Sequence, residues 1–185
     1  KIKKEGDKEA TPFELEVAQA IYQVETNAGP IGAELKPLHI VGAREVAIGD
    51  SGRKAMVVFV PYNQLNEFKK LQRSLVEELE KKFGDYQVVM IAQRTMLGKG
   101  AARNPRHKGV RPRSRTLTSV QEAMLDDLVF PADIVGKRTR YSTDGSKLMH
   151  VHLSARDRVL LEAKLPAFAA VYTALTNKRV AFEFA

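Results

Sequence analysis

A mixed α/β fold, with helices packed on a sheet that contains a right-handed βαβ unit, follows from three features of the sequence. Two short runs, residues 55–60 and 86–92, are apolar without interruption, as strands buried on both faces are. Between them, residues 62–83 repeat their apolar side chains at helical spacing. Further on, two alternating segments flank Ser142-Thr143-Asp144-Gly145-Ser146, the signature of a β-hairpin.

Taken in order, Thr11, Pro12 and Glu14 form a helix start. The threonine can cap, proline suits the first turn, and the glutamate can reach back to the cap amide. Phe13, Val17, Ala20, Ile21 and Val24 make the apolar stripe, and residues 30–36 form a short second helix. Leu38, Ile40, Val46 and Ile48 share one parity, which predicts a single long, half-buried strand. Gly49 to Lys54 contains glycines and a lysine, but lacks the spacing of a phosphate loop and precedes a strand, so it reads as a hairpin turn.

In the long helix, Leu65, Phe68, Leu71, Leu75, Val76, Leu79 and Phe83 form one face. Glu77–Lys81 and Glu78–Lys82 are spaced for pairing on the wet side. Strand, helix, strand with both strands wholly apolar implies a parallel, right-handed crossover. A helix capped at Thr118 or Ser119 should then bury Val120, Met124, Leu125, Leu128 and Val129. The hairpin strands are residues 134–141 and 147–153. A last helix over residues 159–175, broken at Pro166, precedes a closing strand in which Val180, Phe182 and Phe184 alternate. With 185 residues, 44% of them hydrophobic, one domain over residues 1–185 is expected.

Charge divides the chain unevenly. No carboxylate occurs between Asp85 and Glu122, and the same window holds Arg94, Lys99, Arg103, Arg106, Lys108, Arg111, Arg113 and Arg115. These eight account for the entire net charge of +8. Between Gly98 and Arg115 the apolar side chains are only Ala101, Ala102 and Val110, too few to offset a backbone ordering cost of roughly 1–2 kcal/mol per residue. Residues 95–116 therefore read as an extended basic arm leaving the carboxyl end of the second apolar strand. Each of its cations can release condensed counterions from a phosphate. Six of the eight in the window are arginines, which grip phosphate in two places and stack on bases; this favours nucleic acid over a membrane surface, and the absence of acids favours a polyanion partner over an import signal or a merely solvated loop. Lys137, Arg138 and Arg140 give the hairpin a second, weaker basic surface, on which Arg138 and Arg140 share a face. The alternative there is an edge strand protected by charge.

Signals for chemistry are weak. There is no cysteine, hence no disulfide or thiolate metal site. His150 and His152 stand two apart on one strand face but lack a third and fourth ligand, and no metal or other cofactor is expected. Asp126, Asp127 and Asp133 read as solvated carboxylates or as ion-pair partners for the arm, and no catalytic residue is identified. No apolar run of 18 residues occurs, so no membrane contact is expected; the first residues, which do not begin with Met, lack the apolar stretch of a secretory signal. No small-molecule substrate is implied.

Val58-Phe59-Val60-Pro61, Glu78-Leu79-Glu80-Lys81-Lys82-Phe83, Ile91-Ala92-Gln93-Arg94, Arg111-Pro112-Arg113-Ser114-Arg115-Thr116-Leu117-Thr118, Asp127-Leu128-Val129-Phe130-Pro131, Ile134-Val135-Gly136-Lys137-Arg138 and Phe182-Glu183-Phe184 follow one another along the chain. Together these stretches resemble the eukaryotic small-subunit ribosomal protein seven family. The resemblance implies a non-enzymatic constituent of the cytosolic small ribosomal subunit. It further implies binding to 18S rRNA beside neighbouring small-subunit proteins, and a part in subunit assembly in the nucleolus and in pre-rRNA processing. Arg94, Arg111, Arg113, Arg115, Lys137 and Arg138 are the RNA-contact positions it implies; Lys99, Arg103, Arg106, Lys108 and Arg140 rest on charge alone. Two other classes stay open on the residues: an RNA-processing or modifying enzyme that holds substrate with the arm, and an adaptor whose basic loop binds an acidic protein.

Overall fold

In the computed structural model, residues 1–4, 9–27, 29–49, 52–103 and 109–185 are described. The elements run α1 (Pro12–Asn27), α2 (Gly29–Leu35), β1 (Gly42–Ala47), β2 (Lys54–Pro61), α3 (Leu65–Lys82), β3 (Tyr86–Gln93), α4 (Leu117–Val129), β4 (Ile134–Tyr141), β5 (Lys147–Leu153), α5 (Arg158–Leu161), α6 (Leu165–Thr176) and β6 (Arg179–Phe184). They form two three-stranded sheets, β1-β2-β3 and β4-β5-β6.

The first sheet carries the crossover. β2 and β3 pair in parallel, from Lys54 opposite Tyr86 to Pro61 opposite Gln93, with α3 between them in sequence. Both strands are buried on both faces, and alternation assigns their side chains to two cores. Met56, Val58, Val60, Val88, Met90 and Ala92 pack with α1 and α3 around Phe68, Leu75 and Leu79. Ala55, Val57, Val89 and Ile91 face the other way, onto α4, α6 and the second sheet around Leu125, Leu128, Val151 and Val171. The apolar face read for α3 is the buried one: Phe68, Leu71, Leu75, Val76 and Leu79 are inside, with Leu65 and Phe83 at its ends.

The start of α1 is a closed capping box. The Thr11 amide donates to Glu14 Oε2 at 2.7 Å, and the Glu14 amide donates to Thr11 Oγ1 at 3.3 Å. Lys4 Nζ adds an ion pair at 2.6 Å to the same carboxylate oxygen. Gly42 of β1 lies against this carboxylate, where an added Cβ would stand 2.8 Å from Glu14 Oε1. At Gly32 the need is stricter: a Cβ would meet the Glu25 carbonyl at 2.2 Å, so only glycine lets α2 fold back this closely on α1.

Several expectations are corrected. The long strand over residues 38–48 is interrupted. Leu38 and Ile40 face the first core, but Val46 and Ile48, of the same parity, face the second. A break of register between Ile40 and Gly42 turns the later side chains over, as a one-residue slip must. Ile40 instead bridges to Ile2 in parallel. On α3 the ion pairs are Arg73–Glu77 and Lys81–Glu78, while Lys82 reaches Gln23 of α1; Glu77–Lys81 and Glu78–Lys82 do not form. The cap of α4 is Thr116, not Thr118 or Ser119, and its hydroxyl donates to the Arg113 carbonyl at 2.7 Å. The last helix breaks at Glu162–Lys164, a 3-10 turn just before Pro166, because proline is accommodated in the first turn of α6. Ala155–Thr176 is long and apolar enough by composition to cross a membrane, but in the fold it is divided into α5, a 3-10 turn and α6. Its Leu161, Ala167, Phe168, Val171 and Tyr172 are committed to the second core.

Burial pushes the Glu14 pKa upward, but hydrogen bonds from Lys4, the Thr11 amide and the Thr11 hydroxyl, with the Lys4 charge, outweigh it. The carboxyl is held below its ordinary value. A lowered folded pKa gives stability that is present above the unfolded value and lost as pH falls through the folded one. Glu14→Gln should therefore be less stable than the parent by about 1 kcal/mol at pH 7, on the scale of a helix cap. That deficit should shrink in urea titrations run below about pH 4.5. A deficit independent of pH would contradict the ionised-cap account.

Candidate nucleic-acid interface

The basic segment departs from the end of β3 and returns into α4, and its departing root is fixed by one carboxylate of α4. Asp127, on α4, is 3% exposed. Its Oδ2 accepts from Arg94 Nη1 at 2.5 Å and from the Ala92 amide of β3 at 3.3 Å. Its Oδ1 lies 3.4 Å from Lys69 Nζ of α3. Arg94 also donates to the Ala92 carbonyl and sits with its guanidinium 5.5 Å from the Tyr62 ring centroid, and Lys69 stands 5.2 Å over Phe130. Two cations and a backbone amide thus answer one buried charge, which is what keeps such a charge affordable in an apolar surrounding.

The helical phase that buries Asp127 is visible in hindsight. It stands seven residues after Val120 and three after Met124, on the apolar stripe of α4. The expectation of a solvated carboxylate is overturned, and the alternative, an ion-pair partner for the basic segment, is the one that forms. Asp126 is exposed and meets Lys137 Nζ of β4 at 3.4 Å.

Beyond Arg94 the two limbs of the loop are tied. The Leu97 amide donates to the Arg115 carbonyl at 2.9 Å, so residues 98–114 leave and return through one gate. The reach out and back is then about 30 Å at 3.3 Å per residue, half that of a free strand. Within the loop, Ala101–Arg103 and Arg113–Arg115 form single 3-10 turns, and Ala101 is buried.

The cations expected to serve as contacts divide accordingly. Lys99, Arg103, Arg113 and Arg115 are exposed, and no described residue pairs with their side chains. Arg111 is half-buried, its Nε shielded from solvent without a partner. Arg106 and Lys108 lie outside the described residues. Arg94, only 13% exposed at its side chain, is spent on Asp127 and is a root of the loop instead of one of its tips. On the hairpin, Lys137, Arg138 and Arg140 are exposed. Lys137 has Asp126, while Arg138 and Arg140 have no ion-pair partner among the described residues. β4 is an edge strand of its sheet, so charge there also guards an edge.

His150 and His152 both face Glu183 of β6, at 2.9 and 3.8 Å from its oxygens. Among the described residues no group of three His, Cys, Asp or Glu side chains comes together in a way that could hold a metal ion.

The buried pair and the exposed cations should respond differently to substitution. Asp127→Ala strands the Arg94 guanidinium and should cost about 3–5 kcal/mol of stability, the range for breaking one side of a buried pair. Arg113→Ala should stay within about 0.5 kcal/mol of the parent. Chemical denaturation of both variants measures this, and equal losses would refute the division.

The description Ribosomal protein S7e matches residues 1–184. Relatives named small ribosomal subunit protein eS7 include that of Schizosaccharomyces pombe, 49% identical over 184 residues, covering 100% of this chain and 93% of its own length. That of Drosophila melanogaster is 47% identical over 186 residues, covering 100% and 94%. The Arabidopsis thaliana protein eS7z is 47% identical over 187 residues, with the same coverage of 100% and 94%. On a match that runs from the first residue to the last strand, the chain belongs to the ribosomal protein S7e family.

Proposed function

We propose that this chain is a structural constituent of the cytosolic small ribosomal subunit, a single domain that holds 18S rRNA with the loop of residues 95–116. The family is one of structural proteins and not of enzymes, which removes the ground for the enzyme reading. The observation that carries the proposal is the full-length agreement with relatives named for the small subunit. The exposed, acid-free cations of the loop support phosphate as the group contacted. Lys99, Arg103, Arg113 and Arg115, with Arg106, Lys108 and Arg111, neutralise phosphates; Arg138 and Arg140 add to them from the hairpin, with Lys137 at its margin. Arg94 acts from behind, by fixing the root of the loop. Assembly in the nucleolus beside neighbouring small-subunit proteins, and a part in pre-rRNA processing, complete the reading.

Affinity for small-subunit rRNA should fall with salt. Seven loop contacts at about 0.7–0.9 each give a log–log slope near −5 to −6. Replacing Lys99, Arg103, Arg113 and Arg115 together by Glu should remove about 3 from that slope with little change in the unfolding midpoint. A parent slope shallower than about −2, or one unchanged in the fourfold variant, would defeat the reading.

A further inference from the structure

Summed over the whole chain, charge outside the loop cancels; element by element it does not. From Ile134 to the C-terminus there are nine Lys and Arg against four Asp and Glu, a local excess of +5 that the carboxylates of α4 conceal in the total. Some of these cations are engaged: Lys137 with Asp126, Arg158 with Glu162, and Lys164 with Glu80. Lys147, Lys178 and Arg179 have no ion pair among the described residues, and they meet at one place.

That place is a cleft of about 560 Å³ where the β4–β5 hairpin tip stands beside the α6–β6 turn. Thr139, Tyr141, Lys147, Asn177, Lys178 and Arg179 line it, and no carboxylate does. Tyr141 is 68% exposed, and Lys147 Nζ stands 5.1 Å from the centroid of its ring. The turn is rigidly built. Asn177 takes the left-handed conformation, φ 55°, that ends α6, and its amide donates to the Thr173 carbonyl at 2.8 Å. The Thr173 hydroxyl donates to the Lys178 carbonyl at 3.2 Å. Strand pairing sets the opposite wall, with Tyr141 opposite Lys147 and Leu148 opposite Arg179.

We infer that this cleft takes an unpaired nucleotide of the bound RNA, an inference that rests on the RNA reading above. Three cations without acids suit the phosphates on either side of such a nucleotide. An open tyrosine ring offers a face on which a base stacks, and the Thr139 hydroxyl and the Asn177 side-chain carboxamide supply hydrogen bonds for ribose or base edges. Double-stranded RNA presents no free base face, so the cleft discriminates single strand from duplex. It differs from the loop in kind: the loop grips phosphates wherever they lie, and the cleft requires a splayed base.

The test uses the full chain, with a fluorescently labelled single-stranded RNA decamer and a duplex RNA as probes in anisotropy titrations. Tyr141→Ala should weaken decamer binding about 5- to 100-fold, the range for loss of one stacked base, with duplex binding within twofold. Tyr141→Phe should restore it, since the ring and not the hydroxyl is required. Lys178→Ala with Arg179→Ala should make the decamer's salt slope shallower by about 1.4, at 0.7 per single-strand contact. Decamer affinity unchanged in Tyr141→Ala overturns the inference, as does an equal loss on duplex. Displacement of the decamer by free adenosine monophosphate at micromolar concentration also overturns it, since the cleft would then be a site for small nucleotides. If the fourfold loop variant loses rRNA while the cleft variants match the parent, this inference fails and the ribosomal reading stands. If the parent binds no RNA, both fall.

Discussion

The buried carboxylate of Asp127 is the constraint on which the arrangement turns. One side chain of α4 answers the end of β3 through an amide, α3 through Lys69 and the root of the basic loop through Arg94. These elements are distant in sequence and meet at the edge where the crossover strands end. The desolvation cost of holding the carboxylate in an apolar surrounding is offset by its two cations and the amide. The loop's point of departure is therefore set by the same contacts that dock α4 against the first sheet. A cationic segment with almost no apolar side chains gains a fixed origin this way, though it has no core of its own.

The two cores share the parallel pair β2–β3, whose alternate residues point into one or the other. This explains why those strands read as uninterrupted apolar runs and why neither tolerates a polar face. It also joins the second sheet, and the cations it displays, to the helical layer on the far side. Cations of the loop root and of the second sheet are thus tied to one continuous stack of side chains.

Much of this was legible because burial leaves a period. The α3 face, the two apolar strands, the hairpin boundaries at Ile134–Tyr141 and Lys147–Leu153, and the closing strand all follow from spacing alone. What spacing could not show was anything set by contact between distant segments. The register break after Ile40 comes from pairing with Ile2, and nothing near Val41 announces it. Asp126 and Asp127 are adjacent and alike in composition, and only the phase of α4 separates an inward carboxylate from an outward one. Nothing in the sequence near Arg94 announces that its partner is Asp127, 33 residues on. The basic surface of the hairpin was legible at Lys137, Arg138 and Arg140, but its continuation to Lys147, Lys178 and Arg179 depends on the pairing of β5 with β6.

The bond between the Leu97 amide and the Arg115 carbonyl has an evolutionary consequence. Once a loop is pinned at its neck, its closure entropy grows only with the logarithm of its length, so doubling the enclosed stretch costs about 0.6 kcal/mol. Changes of length at the exposed positions of the loop should thus cost folding little, with buried Ala101 an exception, while the backbone pairing of Leu97 with Arg115 holds the frame around them.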